Sequence, residues 1–346
     1  MSDFVSAVVM FVYGLHLMGA GLSLTERATV AEKARRLFAR GGSRPGRVMA
    51  GFLATAVLQS SSVVSILLVK SVQSGAILLA QACDYLSGIN LGTTVTAWII
   101  CLLQGRAGES IFSLCLPALL PAAFVLSLSG LRSTAANCLP SERQAGSAAG
   151  QPSAPQAGLH AGLGRLLLAL VLVFLGLERF SRALSGSGSA GRMLEQVMSR
   201  ASHPALCLAG GFALTLLLQS SSAGIGLLQL YAAHTAVPLS QALYFVIGQN
   251  IGTCVITIIS AAGGGRAAAQ TAGFHLLFNL TTGGVVCLLF APAVLLCPAL
   301  GHTCAGSVRI ALLHSLFNLL GICLMYPMTP SYIQWCKDRG YGRRDR

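Results

Sequence analysis

Apolar residues in this chain come in long unbroken runs, at 4–22, 48–69, 76–103, 111–128, 166–177, 205–230, 241–262, 273–296 and 308–326. Roughly 20 apolar residues cross a bilayer as an α-helix. The runs are continuous, without the every-second-residue alternation of a membrane β-barrel. The pattern therefore predicts an all-α integral membrane protein with seven to nine hydrophobic elements. A few polar islands interrupt it. Gln59-Ser60-Ser61-Ser62 lies within the second run, and Gln219-Ser220-Ser221-Ser222 repeats it 160 positions later. Asn90-Leu91-Gly92-Thr93 and Asn250-Ile251-Gly252-Thr253 keep the same offset, as do Gly51-Phe52 and Gly211-Phe212, Thr55 and Thr215, and Gln81 and Gln241. Two polar clusters held in register, with no insertion or deletion, indicate one unit used twice.

The duplication divides the chain into a first repeat at 1–130, a linker at 131–163, a second repeat at 164–265, a pair of further helices at 266–330 and a basic tail at 331–346. The linker is rich in Ser, Ala, Gln, Gly and Pro over 140–164, a composition with little to pack. If the Gln-Ser-Ser-Ser segments are re-entrant hairpins, the first repeat crosses the membrane three times and the second is inverted relative to it, an arrangement common in secondary transporters. If 48–69 spans instead, the parity changes and the repeats run parallel. The inverted form with the N-terminus outside puts sixteen Lys and Arg in cytoplasmic loops and six outside, with Lys70 unassigned. That distribution fits the positive-inside bias. It predicts a multi-pass protein of the cytoplasmic (inner) membrane with its C-terminus in the cytoplasm. The run at 4–22 lacks a basic leader and a cleavage site and reads as a retained first helix.

Four hydrogen-bonding side chains in hydrocarbon are costly unless they line a protein-enclosed cavity or meet a ligand. Ser and Thr hydroxyls and Gln and Asn amides both donate and accept, so such a lining can hold Na⁺ through oxygen and an oxyanion through N–H and O–H. Gly92 and Gly252, widened by Gly88 and Gly248, are the expected helix breaks, where freed N–H groups would add positive potential. The bland reading, serines bonded to helix carbonyls or joining helices, accounts poorly for two such motifs in register.

Composition sharpens this picture. Hydrophobic residues are 54% of the 346, charged residues 10%, and the mean hydropathy is +0.72. Soluble domains carry about a quarter charged residues. The net charge of +13 is concentrated in short connections and the tail, which points to topology and lipid headgroups and away from nucleic acid. Eleven cysteines show no C-x-x-C or metal-ligand spacing. There is no G-x-S-x-G, H-E-x-x-H or P-loop, so no enzyme and no bound cofactor or metal is expected.

The doubled Q-S-S-S, the doubled G-x-N-[LI]-G-T and the two H-x-x-F-N segments, His275 to Asn279 and His314 to Asn318, resemble the type II sodium–phosphate cotransporter family, including its bacterial branch. The likeness covers roughly residues 10–330. It implies Na⁺-coupled symport of inorganic phosphate by alternating access, with sodium ions and phosphate as the transported partners. By that resemblance the binding residues are Gln59, Ser60, Ser61, Ser62, Asn90, Gly92, Thr93 and Thr94 in one repeat. In the other they are Gln219, Ser220, Ser221, Ser222, Asn250, Gly252 and Thr253. Cys254 stands where the first repeat has Thr94 and is a poor Na⁺ ligand, which moves attention to Thr96 and Thr257. Many bacterial relatives carry a C-terminal domain similar to the phosphate-signalling protein PhoU; with the sequence ending at Arg346, such regulation is expected from a separate partner. Rival readings are a carrier of another oxyanion or a carboxylate, and a membrane sensor that binds phosphate without carrying it.

Single residues complete the expectations. Asp84, well inside an apolar run, is a candidate ion-coupling carboxylate, although its repeat mate is Tyr244. Lys70 is expected to snorkel to the interface. His275 and His314 are expected to hydrogen-bond across helix pairs. Residues 31–40 read as an amphipathic helix on the cytoplasmic leaflet.

Overall fold

The computed structural model describes residues 2–24, 42–104, 203–296 and 304–338, with helical pieces between 167 and 179. The expectations for the amphipathic segment at 31–40, the run at 111–128 and the linker lie outside the described residues. Among the described residues, ten helices with continuous bounds follow one another: α1 (Ser2–Leu24), α2 (Arg44–Leu58), α3 (Ser61–Gln73), α4 (Leu79–Gly92), α5 (Thr94–Gln104), α6 (Pro204–Leu218), α7 (Ser221–His234), α8 (Leu239–Ala261), α9 (Gly265–Leu296) and α10 (Ser307–Cys336). A two-residue antiparallel bridge, β1 (Val237–Pro238) with β2 (Cys304–Ala305), ties the start of α8 to the start of α10.

Among the described residues, four stretches are long and apolar enough to span a bilayer: Leu79–Gln104 (α4 with α5), Leu239–Ala261 (α8), Gly265–Phe290 within α9, and Ser307–Cys336 (α10). At 1.5 Å per residue, 23 to 30 residues reach about 35–45 Å. Large apolar side chains face outward along them, Leu102, Ile259 and Leu288 among the most exposed. Outward Leu and Ile suit a lipid solvent, so the chain is a helical membrane protein. The helices flanking the Gln-Ser-Ser-Ser motifs have 13 to 15 residues each, about 20 Å, too short to cross alone.

Each short helix in front of a motif runs beside a spanning helix in the same direction. Along α2 and α4, Val48 meets Gly88, Gly51 meets Tyr85, and Thr55 meets Gly92. Along α6 and α8, Leu208 meets Gly248, Gly211 meets Phe245, and Thr215 meets Gly252. These contacts repeat at an offset of 160. A Cβ on Gly88 or Gly248 would collide with the carbonyl oxygen of Val48 or Leu208, so the backbones touch where only hydrogen fits.

This packing corrects the expected helix breaks. α8 runs unbroken from Leu239 to Ala261 through Gly252. The first copy pauses at Thr93 alone, whose dihedrals remain helical (φ −62°, ψ −24°). The glycines serve close approach, and the interruptions lie at Gln-Ser-Ser-Ser. Asp84 needs correcting too: it is buried in an ion-pair cluster and is not among the residues lining the polar cavity described below. Arg44 Nη2 lies 3.2 Å from its Oδ1 and Arg47 Nη2 2.8 Å from its Oδ2. Arg44 also donates to the Tyr326 carbonyl (2.7 Å) and stacks over the Tyr326 ring, joining α2 and α4 to α10. With both carboxylate oxygens committed to guanidinium groups, Asp84 is a structural counter-ion.

Candidate functional site: a polar cavity shared by both motifs

Two residues hold the helix breaks. Gln59 and Gln219 have φ 50° and ψ 26°, and are the non-glycine residues at positive φ among those described. A left-handed conformation costs a non-glycine residue about 1–2 kcal/mol. Glycine would avoid that cost, so a glutamine at each break calls for a use of its amide. In the first copy that use is visible: Gln59 Nε2 donates to the Ala56 carbonyl, and Gln59 Oε1 accepts from Thr96 Oγ1 at 2.8 Å.

The serine after each glutamine starts the next helix. Ser60 Oγ accepts from Val63 N and Ser220 Oγ from Ala223 N, both as N-caps with extended backbone. Ser61 and Ser62 thereby occupy the first turn of α3, and Ser221 and Ser222 the first turn of α7. The free N–H groups and positive dipole end expected at the glycines are found here instead. The two breaks meet: Ser62 Oγ donates to the Gln219 carbonyl at 3.2 Å, across 157 positions of sequence.

Beside this contact lies a cavity lined by Ser61, Ser62, Ser65, Asn90, Thr93, Asn250, Thr253, Thr257 and His275. Its free volume is about 10 Å³, room for about one water molecule. A five-atom oxyanion enters only if the walls part. Both Asn-x-Gly-Thr islands reach it, and in each the threonine donates to the asparagine's own carbonyl at 2.6 Å. Asn250 Nδ2 donates to the Val246 carbonyl (2.8 Å), whereas Asn90 Nδ2 is buried with no hydrogen-bond partner. Among the described residues, no Lys, Arg, Asp or Glu lines the cavity.

Of the residues singled out from sequence, Ser61, Ser62, Asn90, Thr93, Asn250, Thr253 and Thr257 come together in this lining. Ser60 and Ser220 are caps, Gly92 and Gly252 are packing glycines, and Thr94 Oγ1 donates to the Leu91 carbonyl (2.7 Å). Thr96 supports Gln59. Ser221 and Ser222 are buried but outside the lining, and Gln219 contributes its carbonyl. Cys254 Sγ donates to the His275 carbonyl (3.4 Å) and leaves the cavity to Thr257. Lys70 is exposed in the last turn of α3.

Two liners went unnoticed as site residues. Ser65 stands one helical turn beyond Ser61, a spacing that puts both hydroxyls on one face of α3. His275 was expected to join helices, and it does: Nδ1 lies 2.8 Å from Thr257 Oγ1 and Nε2 2.9 Å from Asn90 Oδ1. It therefore bridges the two copies from α9. His314 lies 3.4 Å from Thr93 Oγ1, and Asn279 and Asn318 each donate to the carbonyl of the histidine four residues earlier.

The family described as Na⁺/Pi-cotransporter matches residues 10–140 and 172–317. The chain belongs to that family. It is 25% identical over 330 residues to "Uncharacterized protein YqeW" of Bacillus subtilis (strain 168), covering 94% of each chain. It is 25% identical over 333 residues to the "Putative inorganic phosphate export protein YjbB" of Escherichia coli (strain K12), covering 96% of this chain and 54% of that protein. The protein of that name from Shigella flexneri matches at the same identity and coverage. The chain thus spans about half the length of these phosphate-export relatives. No solved structure matches. The family is one of transporters and not an enzyme class.

Proposed function

We propose that the protein is a secondary transporter that moves inorganic phosphate together with Na⁺ by alternating access, with its two motif-bearing repeats in inverted orientation. The observation that carries this reading is the shared cavity: hydroxyls and amides from both copies, with no fixed charge among them. A phosphate anion in low dielectric needs compensation. A lining without Lys or Arg leaves that task to a co-bound cation, which makes coupling a physical requirement of the site.

Inversion draws support from α1 and the helical piece around Gly176. Gly14 packs against the backbone of Ala169 and Val173, while Gly176 packs against Phe11. The two contacts exchange roles under an offset of 162 and run in opposite directions, as expected of helices related by a two-fold axis in the membrane plane. Hairpins draw support from the parallel course of α2 and α4. α2 advances from the level of Asp84 to that of Gly92, and the five residues between α3 and α4 require α3 to return toward Leu79. The Gln-Ser-Ser-Ser tips then lie near the bilayer midplane. In this arrangement the basic first connection and the tail face the cytoplasm of an inner membrane, a topology read by cysteine labelling of engineered sites in those segments.

Uptake of labelled phosphate into proteoliposomes, with and without an imposed Na⁺ gradient, tests the function. Flux that follows the gradient is expected, and flux indifferent to Na⁺ rejects the coupling. Reversing the gradient reads the direction the protein supports. Competition by sulfate, arsenate and dicarboxylates reads the selectivity, with arsenate expected to compete best because it shares phosphate's shape and charge.

A further inference from the structure

We propose that the two asparagines of the cavity have opposite parts, with Asn90 donating to the anion, Asn250 accepting for the cation, and His275 as the positioning residue that fixes this polarity. The inference rests on the transport reading and assigns the two cargoes within its site.

Asn90 Oδ1 can only accept, so the His275 Nε2 that lies 2.9 Å away must donate. An imidazole with its proton on Nε2 accepts at Nδ1, where the Thr257 hydroxyl donates at 2.8 Å. This chain turns the Asn90 amide so that its oxygen is occupied and its Nδ2, buried without a partner, is the group left for a ligand. A buried, unpaired N–H donor is costly unless an acceptor meets it. The first turn of α3, with Ser61 and Ser62, borders the same space and adds the positive end of a helix.

The α8 side is the reverse. Asn250, Thr253 and Thr257 fall at spacings of three and four residues, on one helical face, and all line the cavity. Both hydroxyl protons and one amide proton are directed elsewhere: Asn250 Nδ2 donates to the Val246 carbonyl, Thr253 Oγ1 to the Asn250 carbonyl and Thr257 Oγ1 to His275. What this face offers is oxygen lone pairs, which suit a monovalent cation. Cation and anion then sit side by side, each against the polarity it needs.

The test uses the full-length protein in proteoliposomes, titrating phosphate at saturating Na⁺ and Na⁺ at saturating phosphate. Asn90→Asp replaces the donor with a negative acceptor and is expected to raise half-saturating phosphate about ten-fold or more. Asn250→Asp keeps an oxygen and adds charge; half-saturating Na⁺ is expected to fall several-fold, with phosphate changed far less. Equal effects of the two substitutions, or Asn90→Asp tightening Na⁺, overturn the assignment. His275→Phe provides a reading independent of added charge. With Asn90 released and Thr257 deprived of its acceptor, half-saturating phosphate is expected to rise about ten-fold and half-saturating Na⁺ less, because Asn250 and Thr253 keep their bonds, and wild-type phosphate affinity overturns the positioning role. A wild-type protein lacking any Na⁺ response removes the parent reading and this assignment with it, a result distinct from symmetric behaviour of the two asparagine variants.

Discussion

The two motif-bearing copies have the same backbone and different chemistry. Gln59 and Gln219 share their dihedrals, Ser60 and Ser220 share their capping bonds, and four glycines meet equivalent carbonyls. Around that frame the side chains diverge. Asp84, Arg44 and Arg47 of the first copy correspond to Tyr244, Pro204 and Cys207 of the second; Ser65 corresponds to Ile225 and Thr96 to Ile256. The first copy is therefore pinned to α10 by buried charge and presents serines to the cavity. The second has an apolar exterior and contributes chiefly through α8. Geometry tolerates little change at the glycine crossings and the breaks, whereas the faces that touch cargo or neighbouring helices are free to specialise.

The largest expected effect tests the shared frame. Gly88→Val and Gly248→Val should be equally damaging, because each drives a side chain into a backbone carbonyl; overpacking at rigid contacts costs about 1–3 kcal/mol or more. Loss of monodisperse protein in detergent chromatography is the expected result for both, and a tolerated Gly248→Val would break the equivalence. Next comes the lining. Ser62→Ala should reduce phosphate uptake about ten-fold or more, and Ser222→Ala less, since Ser222 lies outside the cavity. Equal loss in transport assays would show that the second tip handles cargo as directly as the first.

Asp84→Asn sharpens the difference in anchoring. Breaking a fully buried ion pair costs about 3–5 kcal/mol. Arg44 keeps a third of its side chain exposed, so a loss of about 2 kcal/mol is expected in thermal unfolding. Tyr244→Phe at the equivalent position should lower the melting temperature much less. The smallest effect belongs to Lys70→Gln: an exposed residue at a helix end should alter stability by no more than about 0.5 kcal/mol and leave uptake unchanged.

Much of the lining of the candidate cavity was legible because burial makes polar residues conspicuous. Seven lining residues stood out as hydroxyls and amides in apolar runs, and doubling removed the ambiguity for all but Thr257, whose repeat mate is Ala97. Ser65 was missed for the complementary reason: its repeat mate is Ile225, so it has no duplicate, although its spacing from Ser61 on α3 marked the same face. The glycines were misread because a helix break and a helix crossing both call for the smallest residue. The spacing of Gly88 from Gly92, and of Gly248 from Gly252, matches the small-x-x-x-small pattern of close membrane helices and favoured the crossing. Arg44 and Arg47, one turn apart, face Asp84 across 40 and 37 positions, a pairing that emerges only when α2 lies along α4. The bridge from His275 to Asn90 spans 185 positions and is equally invisible until the helices are assembled.

The hydroxyl of Ser62 resting on the Gln219 carbonyl is a seam of a particular strength. A neutral hydrogen bond contributes about 0.5–1.5 kcal/mol net, so thermal motion alone unfastens such a stitch often, and little of the energy from a bound ion is needed to open it. In the proposed alternating-access cycle, parting the two tips costs little at this seam, and more of the resistance falls on the bridges from His275 to Asn90 and Thr257.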